Sequence, residues 1–305
     1  IKTALECRSD TDQMLKRIKI QNFKSLSDIE IRMDRFCVLF GPNASGKSNL
    51  LDALQLVSRM GTCKSLKEAF ERPYRGRPIE SFTFGMGGIE SISGRESVSF
   101  MIEIDVELSP FVIASVNEMI REMKRTSPGA EHKSKVANRV NLKDLRYRVE
   151  VEMRPESGIL RIKDEYVAAL NSKGEPRGDR KPFLEKVREN LRLRMEGQSH
   201  PTFRDLYLDH AILSTPLYAP HYPHMTALKR ELENWRFFYF EPRVGMRQPN
   251  AIREVDHIGL MGEDLAAFLN TMKANDPGQF SSMEKALNAV IPSITGIKLN
   301  TNKMG

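Results

Sequence analysis

Residues 41–48 read Gly41-Pro42-Asn43-Ala44-Ser45-Gly46-Lys47-Ser48, a complete G-x-x-x-x-G-K-S loop. The flanks give the motif its meaning. The apolar run Phe36-Cys37-Val38-Leu39-Phe40 precedes it and reads as a buried strand. Leu50, Leu51, Leu54 and Val57 follow at helical spacing. Strand, glycine loop and helix start are the context in which this pattern cradles phosphate. Gly41 and Gly46 let the backbone curl so that successive N–H groups point inward. The helix start adds the positive end of its dipole. Lys47 is then placed to reach the β- and γ-phosphates, and the Ser48 hydroxyl to ligate Mg²⁺.

Outward from the loop the organisation is regular. Residues 15–21 and 28–33 alternate at period two around the break Asn22-Phe23-Lys24-Ser25. The expected order is strand, turn, strand, turn, strand, loop, helix, and two strands ahead of the loop strand disfavour a small-molecule phosphotransferase. Ser81–Gly85 reads as a short strand. Val98, Phe100, Ile102, Ile104 and Val106 form one face of a longer one, with Glu103, Asp105 and Glu107 opposite. A helix is expected from Pro110 to Arg125, and a hairpin from Leu145–Arg154 to Ile159–Lys163. Further helices are expected over 182–195, 228–235, 265–273 and 283–290, and a buried strand over Phe237-Phe238-Tyr239-Phe240.

Composition sets the outer limits. With 40% hydrophobic and 29% charged residues in 305, the chain is an ordinary globular protein. No run of about 18 apolar residues offers a membrane span. The polar start offers no secretory leader, and Cys7, Cys37 and Cys63 are unpatterned, which fits a reducing cytoplasm. The net charge of +7 is uneven: residues 121–146 hold eight Lys or Arg against three acids. That stretch is a candidate contact for nucleic-acid phosphate, or a solvated loop.

Leu15–Leu56 resembles the N-terminal half of ABC-type ATPase heads of the SMC, RecF and OLD kind. The resemblance rests on Asn22-Phe23-Lys24-Ser25, the run 36–40, and Gly41 through Ala53 with its Ser48-Asn49 continuation. A weaker likeness to bacterial AAA-annotated ATPases of phage-defence or DNA-maintenance loci covers Trp235–Arg247 and Gly262–Leu269. The resemblance implies an α/β P-loop NTPase with a mixed sheet around the loop helix and an α+β insert. It implies ATP and Mg²⁺ as cofactors, Asn43 on the γ-phosphate and Lys24 near the phosphates. The candidate nucleotide-binding set is thus Lys24, Gly41, Pro42, Asn43, Ala44, Ser45, Gly46, Lys47, Ser48 and Asn49, with Ser48 as the metal ligand. It also implies a homodimer with ATP sandwiched between heads, and DNA, a nuclease or another effector as partner.

The domain reading is an extension over 1–13, an N-terminal ATP-binding lobe over 14–109, a variable insert over 110–230 and a return to the lobe over 231–305. The resemblance also implies a serine-glycine signature, an apolar strand ending in paired acids, and a switch histidine. None is found. Glu241 after the 237–240 run, and Met195-Glu196-Gly197-Gln198-Ser199, are only faint echoes. No catalytic residue is therefore assigned, and the second half of the head is expected beyond Gly305 or from another chain. The other reading is a nucleotide-sensing scaffold without turnover. His200, His210, His221 and His224 lack a carboxylate or Cys at ligand spacing, so loop packing is expected of them rather than metal binding.

Overall fold

The computed structural model describes residues 14–85, 87–126, 139–197, 200–240, 243, 246 and 249–300. The chain divides into two compact units, 1–235 and 236–305.

The first unit is an eight-stranded sheet under a layer of helices. In chain order come β1 (Leu15–Phe23), β2 (Leu26–Arg32), α1 (Lys47–Thr62), α2 (Leu66–Ala69), α3 (Glu90–Ser93), β3 (Val98–Glu107) and α4 (Pro110–Thr126). Then follow β4 (Asp144–Arg154), β5 (Ile159–Ala169), β6 (Leu184–Val187), β7 (Asn190–Leu193), β8 (Thr202–Asp205) and α5 (Pro223–Glu233). The strand order is β2-β1-β3-β4-β5-β6-β7-β8. Period-two sequences make one face apolar: Ile18, Ile20, Ile102, Ile104, Tyr147, Val149 and Val151 are fully buried. The same sheet runs on through strands on both sides of Pro110.

Helix α1 lies against that apolar face and is buried along most of its length. It is locked to α5 where Ser58 Oγ donates to the Leu232 carbonyl (2.8 Å). Helix α5 is tied to α4 by Arg230 Nη1 donating to Ser115 Oγ (2.6 Å). Two buried polar groups pin the far side. Glu165 accepts from the Ile212 and Leu213 backbone N–H groups (2.6 and 3.0 Å), holding the 3₁₀ turn Ile212–Ser214 that packs on α1. His224 Nδ1 meets Glu196 Oε2 at 2.7 Å, and its Nε2 accepts from the Asn141 and Leu142 N–H groups.

The opposite face of the sheet is charged. Arg17 bridges Glu30 and Glu103 (2.7 Å each), Arg146 grips Asp105 (2.7 Å), and Arg148 meets Asp164 (2.9 Å). Alternating signs on neighbouring strands satisfy the buried carboxylates of Glu103 and Asp105.

The second unit holds α6 (Leu265–Asn275) and α7 (Pro277–Val290). Asp276 caps α7 by accepting from the Gln279 N–H (2.9 Å).

Several expectations are corrected. Every strand pairing among the described residues is antiparallel, so the sheet is not mixed. The reason is that residues 36–40 are not a strand. They run to the loop without a ladder partner among the described residues, with Phe36 81% and Val38 and Phe40 61% exposed. Residues 237–240 are likewise no buried strand: Phe238 and Phe240 are exposed and stack on each other at 5.3 Å. Residues 182–195 form the β6–β7 hairpin instead of a helix. Leu184, Leu191 and Leu193 fit period two as well as period 3.6, and Arg188 takes the turn at φ 55°. Ser81–Gly85 shrinks to a single bridge between Phe82 and Phe23.

Candidate functional site

The loop turns through positive-φ backbone at two glycines and one alanine. Gly41 has φ 150°, Ala44 63° and Gly46 91°. A Cβ at Gly46 would come within 2.9 Å of Leu26 Cδ2, so this position needs glycine for both its dihedral and its packing. Gly46 is the N-cap of α1 and supplies no side-chain cap, and the first turn holds no acid. The first backbone N–H groups therefore face the loop with no side-chain cap, the arrangement that receives anions.

Gly41 to Ser45 and Ser48 are exposed, and Gly46 is buried. Lys47 Nζ donates to the carbonyls of Gly41 (2.9 Å) and Pro42 (2.7 Å) and approaches Ser45 Oγ (3.4 Å). The ammonium thus lies across the loop, within reach of any phosphate that enters it. Asn43 and Ala44 form the loop crest. Asn49 Nδ2 donates to Ser25 Oγ (2.8 Å), binding the loop helix to the β1–β2 turn.

Lys24 sits in that turn at φ 49°. Its backbone N–H donates to the Ser81 carbonyl (3.0 Å), and its own carbonyl accepts from Thr83 Oγ1 (2.8 Å). The ammonium donates to Asp52 Oδ2 (2.8 Å) and the Arg75 carbonyl (2.9 Å), over the rings of Tyr74 (4.8 Å) and Phe23 (5.6 Å). Burial draws its pKa below the usual lysine value, against the pull of Asp52. Asp52, fully buried on α1, also accepts from Arg75 Nη2 (2.6 Å). Arg75 Nη2 reaches Asn49 Oδ1 as well (3.3 Å).

The structure therefore brings Lys24, Asn49 and residues 41–48 to one end of α1. Beside them lies a cavity of about 510 Å³ lined by Lys24, Ser25, Asn49, Arg75, Gly76, Glu80 and Phe84. Asp52 and Arg75 were missed in the sequence. The signal for Asp52 was an acid inside the helical run between Leu51 and Ala53, next to Leu50, Leu51 and Leu54. Arg75 lies in an irregular stretch that carried no signal.

Other candidates fall elsewhere. Glu241 lies outside the described residues, as do Gln198 and Ser199. Glu196 is the buried partner of His224 and of Arg180. Of the basic stretch 121–146, residues 127–138 lie outside the described set, while Lys143 and Arg146 are paired with Glu107 and Asp105. Among the described residues no helix is long and apolar enough to cross a membrane.

A family model described as "AAA ATPase domain" matches residues 14–196. The OLD nuclease of Thermus scotoductus is 41% identical over 44 residues, 14% of this chain and 8% of that protein. Structural maintenance of chromosomes protein 1B of Mus musculus is 34% identical over 73 residues, 22% of this chain and 6% of that protein. The matched stretches thus span less than a tenth of either curated relative. A solved structure from work on ATP-driven dimerization and DNA-stimulated activation of SMC ATPases covers 52% of this chain and 70% of its own, at 14% identity and a TM-score of 0.28.

Proposed function

Because the chain belongs to the AAA ATPase domain family, we propose that residues 41–49 bind the polyphosphate of ATP. The observation that carries this reading is the loop itself. It joins left-handed glycines, an uncapped helix start and an ammonium laid across the mouth. Backbone N–H groups of Asn43 to Lys47 receive phosphate oxygens, and Lys47 exchanges its loop carbonyls for the β- and γ-phosphates. Asn43 contacts the γ-phosphate from the crest. The exposed Ser48 hydroxyl suits a hard, oxygen-loving cation, so it would hold Mg²⁺, which supplies charge neutralisation on the phosphates. Lys24 acts from behind, and any contact it makes with phosphate competes with its bond to Asp52.

The whole activity is ATP hydrolysis coupled to pairing of two heads, serving DNA maintenance or phage defence with a nuclease or other effector. The exposed apolar run Phe36–Phe40 supports a further strand being laid against it. That strand would bring the acid that orients the attacking water. A nucleotide-sensing scaffold is the second reading. It is favoured by one observation: Asp52, the carboxylate of the loop helix, is committed to Lys24 and Arg75 rather than facing the loop.

Titration with a fluorescent ATP analogue tests the site. Lys47→Ala should weaken binding by roughly a hundredfold or more, since it removes charge-assisted bonds to phosphate, while circular dichroism stays unchanged. A folded Lys47→Ala protein with undiminished affinity would falsify the assignment. Lys24→Ala should weaken binding several-fold; an unchanged Kd removes Lys24 from the site.

A further inference from the structure

The charged face of the sheet ends, toward β8, in two stations of the same composition. Each joins two guanidinium groups, one carboxylate and one exposed aromatic ring.

At the first, Arg192 Nη2 and Arg194 Nη2 both donate to a single oxygen, Glu185 Oε1 (2.7 and 2.9 Å). Arg192 is paired across the strands with Glu185 on one side and Phe203 on the other. The Phe203 ring is 57% exposed. Two arginines on one carboxylate leave a local positive excess, and the Nε atoms of both have no hydrogen-bond partner among the described residues.

The second station is a cavity of about 260 Å³ lined by Glu152, Arg154, Ile159, Arg161 and Tyr207. Register puts Glu152 opposite Arg161, and Arg154 opposite Ile159, on the strand face away from the helices. Arg154 is exposed and makes no ion pair among the described residues. Tyr207 is 46% exposed. Its backbone, at φ 60°, is clamped to β5 by bonds between Tyr207 N–H and the Ile162 carbonyl (3.0 Å) and between Ile162 N–H and the Leu208 carbonyl (2.8 Å). The backbone of Tyr207 is thereby fixed on β5, with its side chain at the mouth of this cavity.

Phe203 and Tyr207 lie four residues apart on one segment, so their Cα atoms are at most about 14 Å apart. Two acids beside the stations are paired, Glu150 with Lys163 (2.9 Å) and Asp164 with Arg148 (2.9 Å), while Asp205, between the two rings in sequence, is exposed and makes no ion pair among the described residues, so the arginines outnumber the unpaired acid.

We propose that this end of the sheet, with Phe203 and Tyr207 as stacking platforms and Arg154, Arg161, Arg192 and Arg194 as phosphate contacts, binds an unpaired nucleic-acid strand. Exposed rings beside surplus guanidinium charge match a ligand that alternates flat bases with phosphates. A duplex keeps its base faces stacked on one another and has none to offer these rings. The site is separate from residues 41–49, and binding there does not depend on the nucleotide reading.

The test is fluorescence anisotropy of the full chain with a labelled oligothymidylate of about 16 nucleotides, without ATP, across a salt series. The wild-type chain should bind with an affinity that falls as salt rises. Phe203→Ala with Tyr207→Ala should raise Kd tenfold or more and leave the salt slope unchanged. Arg154→Ala with Arg161→Ala should raise Kd and flatten the slope. Lys47→Ala should bind the strand as the wild type does. Circular dichroism checks each fold; should the aromatic double variant not fold, Phe203→Ser on the exposed edge strand replaces it, with a rise of several-fold expected. Absence of binding at tens of micromolar protein overturns the proposal. So does an unchanged Kd in a folded aromatic variant, or equal competition by a duplex of the same length.

Discussion

Strand β3 and the run Phe36–Phe40 are built from the same kind of residue, yet they meet opposite fates. In β3, Phe100 is 1% exposed and touches the rings of Phe23 (5.2 Å) and Phe82 (5.1 Å). In the run before the loop, Phe36, Val38 and Phe40 face outward. The difference lies in the neighbours. β3 is flanked by β1 and β4, which satisfy its backbone on both edges. Among the described residues the run 36–40 pairs with no strand. An apolar sequence gives a segment the capacity to be buried; a paired edge and a covering layer decide whether it is. One region is paired on both edges and packed, and the other leads, exposed, into the glycine-rich loop.

That division is open to direct challenge. Phe100→Ala should cost about 3–5 kcal/mol of unfolding free energy, the range for removing a ring from a packed core. Urea denaturation measures it, and a loss below about 1 kcal/mol would show that β3 is not the core strand described. A second effect sits deeper on the stable side. Burial raises the Glu165 carboxyl to about 7, from an ordinary 4.5, against the two backbone N–H groups that favour its charge. The folded state therefore prefers the proton, so stability is full below the unfolded value and declines as pH climbs from about 4.5 through about 7. The decline is at most about 3 kcal/mol. Glu165→Gln should remove that pH dependence between pH 5 and pH 7.5, although its amide faces one backbone donor. An identical decline in the variant would assign it to other groups. The smallest effect belongs to the exposed run: Phe40→Ser should change stability by no more than about 0.5 kcal/mol. A larger drop in the melting temperature would mean that the run is covered in solution.

Much of the candidate site was legible because it is local. The spacing of Gly41, Gly46, Lys47 and Ser48 fixes a turn, a helix start and a charge within one short stretch, and nothing distant is needed to assemble them. Lys24 was found only through a resemblance to a family turn. Its surroundings, Asp52 below and Tyr74 and Arg75 around it, come from residues 28 to 51 positions away and left no mark in periodicity. The 182–195 segment shows the same limit, since leucines that suit a helix suit a hairpin equally until Val167 of β5 is there to pair with Leu184.

By itself the sequence determined the glycine-rich loop, the helix behind it, the alternating strands β1 to β5 and the excess of positive charge, because each follows from neighbours in the chain. Only the tertiary structure decided that the sheet is antiparallel, that Arg75 and Asp52 stand beside the loop, and that two aromatic rings share a face with four arginines. Those arrangements depend on which strand edges meet, and edge pairing is set by contacts between residues far apart in sequence.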